Sequence, residues 1–310
     1  MSTPQTRTPQ RTTRWRRVQL LQRASLVILL AFVLLLVGLR VSPAPWRFPT
    51  FPKLTHTARG AAGDPLNIIL VGSASQITQS FARAGWLVPD PITSHTSARI
   101  VAASLAHRPY PTAPVSALYV FGRVQDRAFE RPTNDVQNRG HIRLWQTTTQ
   151  LGGQPVWLGQ ASYDQGIELS GTTAFPTHHI SPAVDLERDG VGTDLARTGL
   201  VVAEAHEAFT PPVFVAYNGG GDYYASDGDV LVLTYSHAAL PLPASTGLSA
   251  VASALKHGFF RGYDAVLTTL PLEVAALLVG IVLVALALWP VLRWLWWQFR
   301  ARWRRATGPA

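Results

Sequence analysis

Histidine and aspartate side chains gather in one short stretch of this chain, where they could bind a metal ion. His178 and His179 precede a predicted helix. Asp185 and Asp189 lie four residues apart within it, so they share one face. Adjacent side chains of an extended segment point to opposite sides, so only one of the two histidines can join the carboxylates. With His141 from a predicted strand, His179, Asp185 and Asp189 would supply nitrogen and oxygen ligands that suit Zn²⁺ or Mn²⁺.

A metal bound by this set would make the chain a metal-assisted hydrolase acting on phosphoesters or similar bonds. Glu187 on the same predicted helix, or Asp126, would serve as the catalytic base. The spacing matches no established ligand motif such as H-E-x-x-H. Acids in the first turn also stabilise a helix dipole, and Asp185 with Arg188 would form an ordinary ion pair. The residues alone therefore leave both a structural and a catalytic role open.

Arginine side chains indicate a different kind of site. Arg123 follows a predicted strand, where ligands tend to gather, and Arg143 lies within another strand. A guanidinium fork matches the geometry of phosphate and carboxylate groups. Together with His178, these two residues would bind an anionic ligand such as a lipid headgroup or phosphate. The alternative for Arg123 is a salt-bridged turn with Asp126, since surface ion pairs contribute little.

Composition and motifs exclude several other chemistries. The chain has no cysteine, which rules out thiol catalysis, cysteine-ligated zinc and iron–sulfur clusters. The turn at residues 72–75 lacks the lysine and spacing of a nucleotide-binding P-loop, and no G-x-S-x-G elbow is present. The glycine run at residues 218–222 is interpreted as a flexible hairpin loop.

The elements that position these side chains predict an α+β fold, a mainly antiparallel sheet with helices on one face. Apolar runs of strand length and segments of helical spacing follow one another along the chain. Gly152-Gly153 suits a hairpin turn, and Ser181-Pro182 suits the start of a helix. The predicted strands cover residues 66–71, 117–122, 141–146, 156–163, 200–204, 213–217 and 230–233, and the predicted helices cover residues 76–84, 97–106 and 182–197.

Two hydrophobic runs, each with arginines on its outer side, predict membrane anchoring. Residues 24–39 and 274–292 are uncharged, and the second run could span a hydrocarbon core of about 30 Å. The tails outside residues 24–292 carry eleven of the 27 Lys and Arg residues and no acid. Residues 24–292 therefore have a formal charge of −2. This distribution follows the positive-inside rule and argues against nucleic-acid binding. A cleaved signal peptide is the alternative for the first run, although Pro45 makes a poor cleavage site there.

The charge pattern predicts an inner-membrane protein with both termini cytoplasmic and the central domain extracytoplasmic. Its expected partners are the membrane, a lipid or phosphate ligand and other membrane proteins. Five prolines between residues 43 and 65 predict a stiff stalk. The predicted order is a basic tail (1–23), a transmembrane helix (24–46), the stalk (47–65), the domain (66–268), a second transmembrane helix (270–292) and a basic tail (293–310).

Several short motifs are spread over residues 63–200. They are Gly63-Asp64-Pro65-Leu66-Asn67, Ala84-Gly85-Trp86, the proline-rich run at 108–116, Phe121-Gly122-Arg123 with Gln125-Asp126, Val156-Trp157-Leu158-Gly159, Thr177-His178-His179-Ile180 and Glu187-Arg188-Asp189. Together these motifs resemble the LssY C-terminal domain family. The activity of that family is not established, so the resemblance implies no particular reaction. Its domains are often fused to lipid-phosphatase-like or DedA-like membrane segments, which implies a role with lipids or the cell envelope.

Overall fold

A computed structural model describes residues 48–169, 176–237 and 248–270, with single residues at 274, 289 and 296. All helices and strands within the three continuous ranges belong to the unit formed by residues 41–269. The strands are β1 (Leu54–His56), β2 (Ala62–Pro65), β3 (Ile68–Val71), β4 (Tyr119–Val120), β5 (Arg123–Val124), β6 (Arg127–Glu130), β7 (Asn138–Leu151), β8 (Gln154–Leu169), β9 (Pro176–Ile180), β10 (Ala203–Ala208), β11 (Val213–Tyr217), β12 (Tyr223–Ser226) and β13 (Asp229–Thr234). The helices are α1 (Ala74–Arg83), α2 (Ser94–Leu105), α3 (Val184–Ala196) and α4 (Leu248–Thr269).

A mixed sheet of seven strands organises the fold. Its order is β10-β13-β3-β8-β7-β6, and β9 pairs with the far part of β8. The pair β13–β3 is parallel, and the other pairs in this sheet are antiparallel. Gly152 and Gly153 both have positive φ, 54° and 74°, at the turn between β7 and β8. This confirms the predicted hairpin, because a two-residue turn of this kind needs φ above zero at both positions.

The two faces of this sheet are covered by different layers. Ile68 and Leu70 of β3 face one core, while Ile69 and Val71 face the other, which explains the unbroken apolar run of this strand. Helices α1 and α3 cover the first face, where Phe81 stacks on Phe129 with ring centroids 4.2 Å apart. The chain before β1 and the four-stranded sheet β2-β1-β4-β5 contribute to the second core.

Local signals set the ends of α1, whereas tertiary pairing sets the start of α3. Ser73 and Gln76 form a capping box at the start of α1, and Gly85 follows its end with φ of +82°. The predicted cap of α3 at Ser181 is wrong. Ala183 forms a bridge with Ala225, whose N–H donates to the carbonyl of Pro182, and α3 begins after this bridge at Val184.

The segment predicted as a stalk is part of the folded domain. Strands β1 and β2 pair with each other, and β1 also pairs with β4 through His56 and Tyr119. Phe48 and Phe51 are buried in the second core and stack on each other with centroids 5.1 Å apart. Among the described residues, Pro49 and Pro52 lie just before β1 and Pro65 ends β2, so these prolines belong to the folded domain and not to a spacer.

The predicted membrane flanks need a correction. Within the described part of the chain, no helix is both long enough and apolar enough to cross a membrane. The predicted spans at residues 24–46 and 270–292 and the two basic tails lie outside the described residues, apart from single positions. The structure therefore supports an α+β class with mixed sheets and not the predicted flank of two transmembrane helices.

Candidate functional site

A row of polar side chains follows the long hairpin on its second face. The alternation of side chains along a strand places every second residue of β7 and β8 on this side. In the ladder Arg139 faces Asp164, His141 faces Ser162, and Arg143 faces Gln160. All six side chains are buried. Trp145 and Leu158 continue the same row into the apolar core, so this face is half polar and half apolar.

The polar half opens into a cavity of about 290 Å³, which we call the polar cavity. Its floor is the row on β7 and β8, and its walls come from β2, the chain at residues 115–118 and the turn between β11 and β12. The charged and amide side chains that line it include Asp64, Arg139, His141, Arg143, Asp164, Asn218 and Asp222.

Arg143 is a buried guanidinium that is held entirely by neutral groups. It donates to the carbonyl of Ser116 at 2.9 Å, to Oγ of Ser116 at 3.1 Å and to Oε1 of Gln160 at 2.6 Å. Among the described residues, no carboxylate forms an ion pair with it within 4.0 Å. Burial lowers the pKa of Arg143 to about 10, while attraction by Asp64 and Asp164 raises it. The side chain therefore stays charged at neutral pH.

Arg139 is compensated by acids and anchors the proline-rich run over the cavity. It donates to Oε2 of Glu130 at 2.5 Å and lies 3.4 Å from Oδ2 of Asp164. It also donates to the carbonyls of Ala113 and Pro114, both at 3.0 Å. Burial raises the pKa of Glu130 to about 8, against the attraction of Arg139. The guanidinium of Arg139 is thus bound by carboxyl and carbonyl groups of the fold itself.

The wall of the polar cavity opposite this row is acidic and amide-rich. Asn218 donates through Nδ2 to Oδ1 of Asp64 at 2.8 Å and lies 3.3 Å from Oδ2 of Asp222. Its Oδ1 accepts the N–H groups of Gly220 and Asp222. His179 donates from Nδ1 to Asp222 at 2.6 Å. Burial raises the pKa of Asp64. The turn at residues 218–222, interpreted from the sequence as a flexible loop, is therefore held by hydrogen bonds of Asn218.

His141 lies between a serine and an aspartate, in the order of a nucleophilic triad. Its Nε2 is 3.0 Å from Oγ of Ser162, and its Nδ1 is 3.5 Å from Oδ1 of Asp164. Ser162 is completely buried and does not line the polar cavity. A nucleophile needs access to its substrate, so the hydroxyl here fixes the orientation of the imidazole.

A second charged region surrounds Arg188, which is completely buried. Its guanidinium donates to Asp185 at 3.1 Å, to Asp227 at 2.8 Å and to Asp189 at 2.9 Å. The Arg188 cluster consists of Asp185, Arg188, Asp189, His206, Asp227, Asp229, Lys256, His257, Arg261 and Asp264.

Two histidines in the Arg188 cluster have opposite electrostatic surroundings. Burial lowers the pKa of His206 to about 4. Hydrogen bonds to Asp189 and Asp227 raise the pKa of His257 to about 9. Burial would raise the pKa of Asp189, but the bond from His257 and the charge of Arg188 outweigh it and lower the value to about 2. One imidazole is therefore neutral, and the other is favoured as a cation between two carboxylates.

The structure divides the predicted metal ligands between these two regions. His141 lines the polar cavity, and His179 binds a residue of its wall. Asp185 and Asp189 share a face of α3, as predicted, but this face belongs to the Arg188 cluster. The four residues therefore do not form one site.

The other predicted site residues are also spread over the molecule. Glu187 lies on another side of α3 and accepts from Arg131 at 2.5 and 2.7 Å, and burial raises its pKa to about 8 against that attraction. Arg123 and Asp126 form a partly exposed ion pair outside the cavity, which is the alternative to an anion-binding role for Arg123. The strand position of His178 faces Ile167 in the ladder, and its side chain is outside the described residues. Of the predicted anion-binding residues, Arg143 lines the polar cavity.

Sequence reasoning missed residues in both regions. Asp64 and Asn218 of the cavity wall lie in motifs that carry no known ligand spacing, and His206 and His257 are single histidines in unremarkable surroundings. The alternation of Arg139, His141 and Arg143 is the signal in the sequence that could have found this row, because a strand places such a series on one face.

Comparison with known proteins gives a family and no closer relative. A family model described as LssY C-terminus matches residues 48–230, more than half of the chain. No curated protein and no solved structure matches the chain. The matched residues include every residue that lines the polar cavity, whereas His257 lies beyond them.

Proposed function

The chain belongs to the LssY C-terminus family, and we propose that the domain binds a small phosphate-bearing ligand in the polar cavity, with Arg143 as the anion-binding residue. The cavity lies within the residues that match the family, so the proposal concerns the shared part of the chain. It keeps the anionic ligand and Arg143 of the sequence prediction and omits Arg123, which pairs with Asp126 outside the cavity.

The observation that carries the proposal is that Arg143 is buried and has no ion-pair partner within 4.0 Å among the described residues. A buried ion is costly unless it is paired, and buried arginines usually have an anionic partner. Arg139, four residues earlier on the same face, has the carboxyl groups of Glu130 and Asp164 within 3.4 Å. Arg143 has only neutral acceptors among the described residues. Asp64 and Asp164 attract Arg143 from beyond ion-pair distance. A bound phosphate would supply the missing charge with a geometry suited to the guanidinium fork.

The side chains of the opposite wall indicate which chemical groups the rest of the ligand would carry. Asp64, Asn218 and Asp222 offer acceptor oxygens and an amide, which suit hydroxyl or amine groups. A volume of about 290 Å³ is close to the lower end of ligand pockets, roughly 300–1,000 Å³. These features favour a phosphate attached to a small hydroxylated or amino-bearing group. A lipid headgroup and a free phosphate compound both have this chemistry.

The proposal is tested by calorimetric titration of the full chain with inorganic phosphate, glycerol 3-phosphate and vesicles of an anionic phospholipid. We expect Arg143→Gln to weaken binding by roughly 10- to 100-fold, the loss expected for one charge-assisted contact. Arg123→Gln is the matched control and should bind as the unaltered chain does. Binding of vesicles alone would identify a headgroup, and binding of glycerol 3-phosphate without vesicles would identify a free compound.

Two results would refute the proposal. One is that none of the three probes binds to the unaltered chain. The other is that Arg143→Gln, with a thermal unfolding profile that shows a folded domain, binds as tightly as the control. Arg143→Lys keeps the charge and is the fallback if the glutamine variant unfolds. It should retain weaker binding, because lysine lacks the two-pronged geometry.

The predicted metal-assisted hydrolase has no support, because the four residues predicted as its metal ligands do not lie together. His141 and His179 lie at the polar cavity, and Asp185 and Asp189 lie in the Arg188 cluster. No hydrolytic reaction is therefore proposed for the polar cavity.

A further inference from the structure

Three side chains with metal-binding atoms converge on one point of the Arg188 cluster. They are Asp189 from α3, His206 from β10 and His257 from α4. Nε2 of His257 is 3.2 Å from Oδ2 of Asp189, and Nε2 of His206 is 3.9 Å from Oδ1 of Asp189. One ligand atom from each lies within 4.8 Å of the others. Ligands at about 2.0–2.1 Å from a tetrahedral zinc ion are about 3.3 Å apart, so only small side-chain movements would be needed.

The orientation of His257 agrees with a metal ligand. Its Nδ1 donates to Oδ2 of Asp227 at 2.8 Å, which leaves Nε2 directed at Asp189. Histidines that bind metals usually donate their other ring nitrogen to a carboxylate in this way. Asp227 is itself fixed by two bonds from Arg188. The supporting bonds of a metal site are thus in place.

The charge of the cluster supplies an independent argument. Five carboxyl groups face three Lys and Arg side chains, so the cluster holds more acids than Lys and Arg partners. Asp264 is 1% exposed, and neither of its carboxylate oxygens has a hydrogen-bond partner among the described residues. It lies seven residues after His257, on the same face of α4. Burial raises the pKa of Asp264, and repulsion from the nearby acids Asp185, Asp227 and Asp189 raises it further. A divalent cation in the cluster would balance this excess of acids.

We propose that Asp189, His206 and His257 bind a divalent transition-metal ion, with zinc as the best match to two imidazoles and one carboxylate. The three side chains are 15%, 25% and 20% exposed, so water can reach a fourth position. This site is separate from the proposed phosphate site. Strand β12 runs between them, with Asp222 of the cavity wall before its start and Asp227 after its end.

The competing interpretation is that a protonated His257 itself acts as the cation between Asp189 and Asp227. The test uses the full chain without a histidine tag, treated with chelator and then titrated with Zn²⁺, with metal content measured by elemental analysis after dialysis. We expect close to one zinc per chain. Replacement by Co²⁺ should give the visible absorption of a four-coordinate ion, a readout that does not depend on any activity.

His206→Gln and His257→Gln should each weaken zinc binding by at least about 10-fold, since each removes one of three protein ligands. His107→Gln is the matched control, because this exposed histidine pairs with Asp135 outside the cluster. His206→Gln is the decisive variant, since His257 also holds Asp227 in place. An unaltered chain that retains no zinc, or a folded His206→Gln variant that binds it as the control does, would overturn the proposal in favour of the protonated histidine.

Discussion

Arg188→Met should lower the free energy of unfolding by about 3–5 kcal/mol, because it removes the cation from a buried group of acids. Arg188 is completely buried and bonds to Asp185, Asp189 and Asp227 as well as to the carbonyl of Asp229. Methionine fills a similar length but leaves the carboxylates without this partner. For a domain of this size, the loss corresponds to a decrease in Tm of roughly 6–20 °C.

The sign of the pH dependence follows from Asp227. Burial would raise the pKa of Asp227, but attraction and hydrogen bonds from Arg188 and His257 outweigh it and hold the pKa well below its usual value of 3.8. A lowered folded pKa adds stability above about pH 4 that is lost as the pH falls through the folded value. The difference between Arg188→Met and the unaltered chain should therefore be full at pH 7 and shrink below about pH 4.

Urea denaturation at pH 7 and at about pH 2.5, followed by circular dichroism, measures both effects. Arg197→Met is the control, since Arg197 lies just after α3 and its side chain is 71% exposed. It should change stability by less than about 0.5 kcal/mol. A loss below about 1 kcal/mol for Arg188→Met, or an equal loss at both pH values, would refute this account of the cluster.

Two further changes test the buried charges around β7. Because burial raises the folded pKa of Glu130 to about 8, above its usual 4.5, the folded state binds more protons across that window and stability falls as the pH rises through it. Glu130→Gln should flatten this fall between pH 5 and pH 8, by at most about 1.4 kcal/mol per pH unit, and parallel urea-denaturation profiles would contradict it. Gly140→Ala would place its Cβ against the carboxylate of Glu187 and should cost about 1–3 kcal/mol in thermal unfolding. The control Gly190→Ala meets only ordinary contacts inside α3 and should be neutral or slightly stabilising, so equal losses would exclude the steric explanation.

Sequence patterns predicted the elements whose signals are local. Strand β3 shows an apolar run, α1 shows helical spacing with Gly85 after its end, and the β7–β8 hairpin shows a glycine pair. Elements that depend on distant partners were missed. The proline-rich segment before β3 was interpreted as a stalk, because nothing in it shows that His56 will pair with Tyr119. Helix α4 was also missed, although it contributes His257 to the Arg188 cluster.

The candidate site was predicted only in part. Arg143 and His141 were recognised by residue type, and both line the polar cavity. Their companions Asp64 and Asn218 come from chain segments far before and far after β7, so no local spacing connects them. The metal ligands were grouped around the double histidine because those residues are close in sequence. The structure brings Asp189 together with His206 and His257 instead.

The sequence by itself determined the family, the α+β class and the set of side chains on each face of the strands and helices. The class and the faces follow from the periods of strand and helix, which depend on the order of neighbouring residues. The family follows from the motifs and the match over residues 48–230. Tertiary structure alone decided which charges are paired. Arg139 and Arg143 lie on the same face of β7, yet one meets two acids and the other meets neutral acceptors. Coulombic attraction and hydrogen bonding act through distance in space, and that distance is set by chain segments far apart in the sequence.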